Sequence, residues 1–468
     1  MSPENTDKNT DNIKIGLEIH VPLKTNHKLF CNCPTNYYDI ETPNTSICEV
    51  CTGMPGAKPY PINKEALKTA VMIAKLLNSD IPDEKIYVKR KHYNYPDLPS
   101  GYQRTSEPVG VGGSLEGVNF WEMHFEEDPG RYDLESGKVD YNRSGVALIE
   151  IVTAPDMKSP EQARNFLKEL INLLKYTERI IDIGGVMRAD CNISLEGGAK
   201  VEIKNINSIR GMYKALKYEI VRQKNIMRRG GKVVQETRGF NEKSMVTISQ
   251  RLKETADDYR YIPDPDIPPL SIDREFIEKI ELPETPQIRK ARIVEHHKIA
   301  EKYAKILVKD KDIADIFEDV VKLGADSGTA AQWITREVLR QLNYRGIELT
   351  ESKLNSRLIY EVLDMTRSGE ITENVAKKLI ERVIDSGESP KHIVKKENLG
   401  KVSGEDTLSD VVDLVVSENE KAVSDYLEGS GGALNFLVGQ VMRKMKGAAD
   451  HAVVIKLLKD KLDNQKLK

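Results

Sequence analysis

Between residues 13 and 262, hydrophobic and polar positions alternate in short runs broken by Gly and Pro turns, a pattern that predicts a sheet-rich unit. The clearest run is Ile13–Leu23, where Ile13, Ile15, Leu17, Ile19 and Val21 alternate with Lys14, Gly16, Glu18 and His20. In an extended strand alternate side chains share a face, so Glu18 and His20 point the same way. Four further segments repeat the design. In 123–131, Met123 and Phe125 define the apolar face and leave His124, Glu126 and Asp128 opposite, with Glu127 on the Phe125 side unless a bulge intervenes. Glu150 is embedded in the apolar run 146–152. Asp190, Asn192 and Ser194 lie opposite Cys191, Ile193 and Leu195, which places Cys191 in the core. Glu202 and Lys204 share a face of 201–207.

Helical signals punctuate this region. Ser159-Pro160-Glu161-Gln162 is a capping-box pattern, followed by a stripe of Phe166, Leu167, Leu170, Ile171 and Leu174. A second helix is expected from Ser208 to the Gly230-Gly231 stop, with Arg228 and Arg229 at its negative pole. Of 21 prolines, all but Pro390 lie at or before Pro286. Residues 263–290, rich in proline, are expected to form an extended linker. Beyond it the period becomes helical, and a break near 386–407 divides 291–400 from a small helical tail, 401–468. The expected organisation is therefore α+β: a flexible tail over 1–12, a sheet-rich domain with helices over 13–290, then two all-helical domains.

Composition changes this picture little. At 468 residues the chain exceeds one core. A formal net charge of −3 gives no global attraction to nucleic acid, so any such contact must be local. No membrane span or signal peptide is evident, and the expected location is the cytoplasm.

Cysteine usage adds chemistry. Four of five cysteines fall at Cys31, Cys33, Cys48 and Cys51. Two close pairs can supply four thiolates to tetrahedral Zn²⁺, and a full thiolate shell makes such a site structural. The five strand carboxylates, Glu18, Glu126, Glu150, Asp190 and Glu202, would offer hard oxygen ligands to Mg²⁺ if they meet, and the His20 imidazole also allows Mn²⁺ or Zn²⁺. There is no G-x-x-x-x-G-K-[ST] loop and no G-x-G-x-x-G. If ATP binds, carboxylate-held Mg²⁺ and scattered bases must manage its phosphates, and candidates lie in 89–103, where Arg90 and Lys91 sit beside Tyr93 and Tyr95.

The order GLEIHVPLKT, YPDLPSGYQ, HFEEDPG, NRSGVALIEIVTAPD, RADCNISL, VEIKNINS, ETRGF and DDYRYIPDPDIPPL, with NFLVGQVMRKMKG near the end, closely resembles the B subunit family of the tRNA-dependent aspartyl/glutamyl amidotransferases, GatB. The resemblance implies a sheet-rich "cradle" followed by helical domains. It implies ATP- and Mg²⁺-dependent phosphorylation of the side-chain carboxylate of mischarged Asp-tRNA(Asn) or Glu-tRNA(Gln). Ammonia from a partner amidase (A) subunit, in a complex with a small C subunit, then completes the amide. By motif, Glu18, His20, Glu126, Glu127, Glu150, Asp190 and Glu202 match the family's metal and catalytic positions. The family uses both glutamates of HFEED, so a bulge after Phe125 is expected. Lys91, Arg143 and Lys204 are candidates for phosphate or substrate, and Arg443, Lys444 and Lys446 for tRNA. The archaeal E subunit is similar but carries an inserted domain for which residues 262–292 leave no room. The alternative from another class is a zinc-stabilised tRNA-binding scaffold without chemistry of its own.

Overall fold

The computed structural model describes residues 12–466 except 134, 182–187, 205, 207, 253–258 and 403. The expected tail over 1–12 thus lies outside the described residues but for Asn12, as do Asn205 and Asn207 of the 201–207 run. The chain divides into two compact units between Thr285 and Pro286. The first is sheet and helix, the second all helix, which makes the chain α+β.

Ten strands carry the first unit: β1 (Lys14–Pro22), β2 (Val88–His92), β3 (Tyr102–Ser106), β4 (Val118–Glu127), β5 (Ala147–Thr153), β6 (Arg188–Ser194), β7 (Val201–Lys204), β8 (Glu236–Asn241), β9 (Val246–Leu252) and β10 (Ile262–Pro263). They form one sheet in the order β9-β8-β7-β6-β1-β5-β4-β3-β2-β10, and two short strands also pair with β4. All of these neighbours are antiparallel except β7 and β8.

The apolar half of the alternation builds the core. Ile15, Leu17, Ile19 and Val21 of β1 are at most 1% exposed. They join Phe125, Ile149, Ile151, Cys191, Ile193 and Ile203 in a core shared with helices α1 (Lys64–Leu76), α2 (Pro160–Lys175) and α3 (Ile209–Arg228). Burying each such aliphatic side chain contributes about 1.5–3 kcal/mol, so this face fixes the register of the whole sheet. The polar half is left for chemistry.

Both expected helix starts are present. Ser159 Oγ accepts from Gln162 N at 3.1 Å, and Ser208 Oγ from Gly211 N at 2.9 Å. The return arm of the first box is displaced by one residue, because Gln162 Oε1 accepts from Lys158 N rather than from Ser159. Gly230, at φ +75°, follows the end of α3 as the glycine stop requires.

Residues 263–280 of the expected linker are packed against the first unit rather than extended away from it. Ile262–Pro263 pairs with β2 as an edge strand, where a missing N–H is tolerated. Asp264 is buried against two arginines, Ile267, Ile272 and Ile280 enter the core, and Lys75 Nζ donates to the carbonyls of Ile277 and Ile280 at 2.8 and 2.9 Å. Local stiffness was readable from proline; the partners that pull the segment onto the sheet were not.

In the second unit, helices from Pro286–His297 to Pro390–Glu397 surround Phe317, Ile334, Ile359, Val362, Val375 and Ile380. A second cluster, of Val412, Val415, Leu437, Val441, Val454 and Leu458, gathers the last four helices.

Candidate functional site

Strand register brings the dispersed carboxylates together. β1 lies between β5 and β6, with His20 opposite Glu150 and Glu18 opposite Asp190. β4 adds Glu126 beside β5, and β7 adds Glu202 beside Asn192. Two triads result on one sheet face: His20, Glu126 and Glu150, and Glu18, Asp190 and Glu202. Within each, one ligand atom per residue lies within 4.8 Å of the others. Glu18 and His20 are two residues apart on one strand, roughly 7 Å, so the triads are neighbours.

The first triad calls for positive charge. His20 Nε2 is 3.5 Å from Glu150 Oε1. Burial would lower the His20 pKa, but the Glu150 hydrogen bond and the charges of Glu150, Glu126 and Asp190 outweigh it and raise it. Burial would likewise raise Glu150, yet His20, Lys91 and His124 hold it down to about 2. Glu126 goes up, from burial and then from the Glu150 charge. Lys91 is raised despite burial by Glu126 and Glu150, and its ammonium sits 4.9 Å from the Tyr259 ring centre. Two carboxylates beside an imidazole, His20, whose pKa they raise fit a divalent cation, which would displace the His20 proton on binding.

The second triad has its own lysine. Lys204 Nζ is 3.2 Å from Asp190 and 3.8 Å from Glu202. Asn192 Nδ2 donates to Glu18 Oε1 at 2.8 Å, and Thr237 Oγ1 to Glu202 Oε2 at 2.7 Å. Such neutral donors orient ligand carboxylates. Asn192 was legible on the polar face of its strand; Thr237 was not, because its pairing with Glu202 across parallel strands leaves no local signal.

Two candidates go elsewhere. Glu127 does not join the triads. No bulge follows Phe125: Phe125, Glu126 and Glu127 pair in unbroken register with Ile149, Leu148 and Ala147, and the irregularity falls at Val152/Thr153. Glu127 therefore turns to the opposite face, where Arg104 Nη1 lies 3.1 Å from Oε2. Arg143 is committed to a loop: its Nε donates to Pro129 O at 2.9 Å, its Nη2 to Gly130 O at 2.6 Å, and Asp128 lies at 3.6 Å. Asp128 also pairs with Arg188.

The four cysteines converge between β1 and α1, with one sulfur atom from each within 4.8 Å of the others. Cys51 Sγ lies 3.9 Å from Cys48 Sγ and 4.0 Å from Cys33 Sγ. Four sulfurs at about 2.3 Å from a tetrahedral centre stand about 3.8 Å apart, so the group could hold a metal ion. Cys51 is lowered to about 5 by the Cys31 hydrogen bond and by Lys28, against its burial. The buried Lys28 ammonium donates to Cys51 Sγ at 3.4 Å and to Ser46 O at 2.9 Å. The buried Lys28 thus favours one thiolate, Cys51, while the hydrogen bond to Cys51 and burial push the Cys31 thiol up, and burial with the Cys51 charge pushes Cys33 up to about 12. Sequence spacing did not identify Lys28.

Arg443 and Lys444 lie on the exposed end of helix Gly431–Lys444, with Lys446 just past it. Lys444 is paired with Glu418 at 2.9 Å. Among the described residues no helix is long and apolar enough to cross a membrane.

A twelve-stranded sheet that buries one face on helices and carries on the other two triads able to hold metal defines a two-layer α+β unit, followed along the chain by an all-helical unit. Residues 13–278 match the GatB/GatE catalytic domain, and residues 315–462 match the GatB domain. The chain belongs to the GatB family. It is 52% identical to the B subunit of the aspartyl/glutamyl-tRNA(Asn/Gln) amidotransferase of Methanocaldococcus jannaschii, over 96% of this chain and 98% of that protein. The corresponding B subunit of Methanosphaera stadtmanae is 51% identical over 96% and 99%, and that of Methanopyrus kandleri 49% over 97% and 99%.

Proposed function

We propose that this chain activates a carboxylate for amidation: it phosphorylates the side chain of Asp on tRNA(Asn), of Glu on tRNA(Gln), or of both, using ATP. The observation that carries this reading is the pair of metal-capable triads side by side on one face, each with its own lysine. A carboxylate oxygen attacks the γ-phosphorus of ATP, the bond to the β-phosphate oxygen breaks, and ADP leaves. Ammonia then attacks the acyl carbon, the C–O bond to phosphate breaks, and the nitrogen loses a proton to give the amide.

Glu18, Asp190 and Glu202, and His20, Glu126 and Glu150, would hold Mg²⁺, which when bound offsets charge on the transferring phosphoryl group. Lys91 and Lys204 stand where they can meet phosphate or substrate carboxylate. The relatives are named as one subunit of an amidotransferase, which supports an assembly of several chains. We assign ammonia supply to a partner amidase (A) subunit, with a small C subunit completing the complex, in the cytoplasm. The four cysteines would hold structural Zn²⁺. The helical region would act as two domains, 291–400 and 401–468, and the latter would meet tRNA through Arg443 and Lys446, with Lys444 after release from Glu418.

The test supplies mischarged tRNA, ATP, Mg²⁺ and ammonium to the assembled complex. Expected are ADP release and amidated aminoacyl-tRNA. Absence of both, with the tRNA still bound, would leave a scaffold rather than an enzyme.

A further inference from the structure

Gln103 is 6% exposed and lies on β3, next to β4. Its Nε2 makes two hydrogen bonds of 2.9 Å, one to Glu126 Oε2 and one to the carbonyl oxygen of Glu127. Its Oε1 accepts from Tyr93 OH at 3.1 Å. Both amide hydrogens and the amide oxygen are thus used. The reversed amide would set an oxygen against a carboxylate and a carbonyl, so the surroundings select one orientation.

This clamp has a consequence for the first triad. A carboxylate on a two-carbon arm turns about its terminal torsion with little preference. Gln103 holds one Glu126 oxygen on the β3 side, while Glu126 also faces His20 and Glu150. The same amide grips the Glu127 carbonyl, so it also fixes the strand at the point where successive glutamates turn to opposite faces. Tyr93 completes the chain from the segment that follows Lys91.

We propose that Gln103, locked by Tyr93, is a positioning residue that presets Glu126 for a divalent cation. This rests on the metal reading of the triads. Gln103 acts through Glu126 and is not itself a ligand. Groups that orient metal ligands are typically worth about ten- to a hundred-fold in affinity.

The test is Mn²⁺ binding to the full-length protein, followed by electron paramagnetic resonance, for wild type, Glu150→Gln, Gln103→Met and Tyr93→Phe. Wild type should bind Mn²⁺, and Glu150→Gln should lose one class of site. Gln103→Met should weaken that class about ten-fold and broaden its signal, with unchanged circular dichroism. Tyr93→Phe should weaken the same class by a smaller factor. If wild type binds no Mn²⁺, the metal reading fails and this proposal with it. If wild type and Glu150→Gln behave as expected but Gln103→Met binds like wild type, the positioning role alone is overturned. Should Gln103→Met fail to fold, Tyr93→Phe decides, and an unaltered signal and affinity there would refute the clamp.

Discussion

Asp264 gives a quantitative test of how the first unit is held together. Its side chain is fully buried. Arg90 donates to it from Nε at 3.0 Å and Nη2 at 2.9 Å, and Arg104 Nε at 2.8 Å. Replacing it by Asn removes the charge between two guanidiniums that are themselves largely buried. Breaking a buried pair costs about 3–5 kcal/mol, and because Asn keeps one acceptor we expect the lower end, about 3 kcal/mol. At a urea slope of about 3 kcal/mol per M, the midpoint should fall by roughly 1 M. The chain has two tryptophans, Trp121 in the first unit and Trp333 in the second. A Trp333→Phe background therefore makes fluorescence report the first unit alone. The control is Asp266→Asn. Asp266 is 31% exposed and only 3.4 Å from Arg90, so it should shift the midpoint by less than about 0.3 M. The pH dependence has a definite sign. Burial opposes ionisation of Asp264, but its hydrogen bonds to Arg90 and Arg104 win and depress its pKa. A depressed carboxylate contributes stability above its unfolded value of about 3.9 and loses it as pH falls through the lower folded value. The gap between wild type and Asp264→Asn should hold at about pH 7 and close in acid. A midpoint shift at neutral pH no larger than that of Asp266→Asn would refute the burial argument.

The other predictions concern the sites. Glu150→Gln should reduce ADP release with mischarged tRNA and ammonium by at least about a hundred-fold while leaving the melting curve within a few degrees, because it removes a ligand and the partner of His20; wild-type turnover would remove the first triad from the chemistry. Purified protein should contain one zinc per chain by atomic emission, and Cys51→Ser should lower that content and expose Cys31 and Cys33 to thiol reagents; full labelling of all four cysteines in native wild type would exclude the metal. Arg443→Ala with Lys446→Ala should weaken tRNA binding and reduce the slope of log affinity against log salt by about 1–2, whereas Lys444→Ala should do less because Glu418 already holds it; filter binding at several salt concentrations reads both.

How far the site could be read from sequence follows from the range of each physical rule. Alternation is a local rule, and it placed Glu18, His20, Glu126, Asp190 and Glu202 on polar strand faces without knowledge of any neighbour, while Glu150 stood out only as a lone carboxylate within an apolar run. Their division into triads depends on which strands lie side by side: His20 meets Glu150 and Glu18 meets Asp190 only because β1 is inserted between β5 and β6. Those pairings span well over a hundred residues. The same limit hid the partners of Asp264, which lie 160 and 174 residues away, and made a folded segment look like a spacer.

Glu127 shows the two kinds of reasoning in conflict. Alternation set it opposite Glu126, whereas the resemblance asked for both glutamates in one site and therefore for a bulge. A bulge needs an extra residue opposite one partner. The ladder from Met123 to Glu127 pairs residue for residue with Ile151 to Ala147, so there is none. What holds Glu127 on the far side is also specific: Arg104 binds it and Asp264 together, and Gln103 grips its carbonyl from the near side. Turning Glu127 into the triads would leave Arg104, which is 7% exposed, without one of its two carboxylates and would break the Gln103 clamp on Glu126. The two glutamates therefore part to opposite faces, Glu126 as a ligand candidate beside His20 and Glu150, and Glu127 as a partner of Arg104 in the layer beneath.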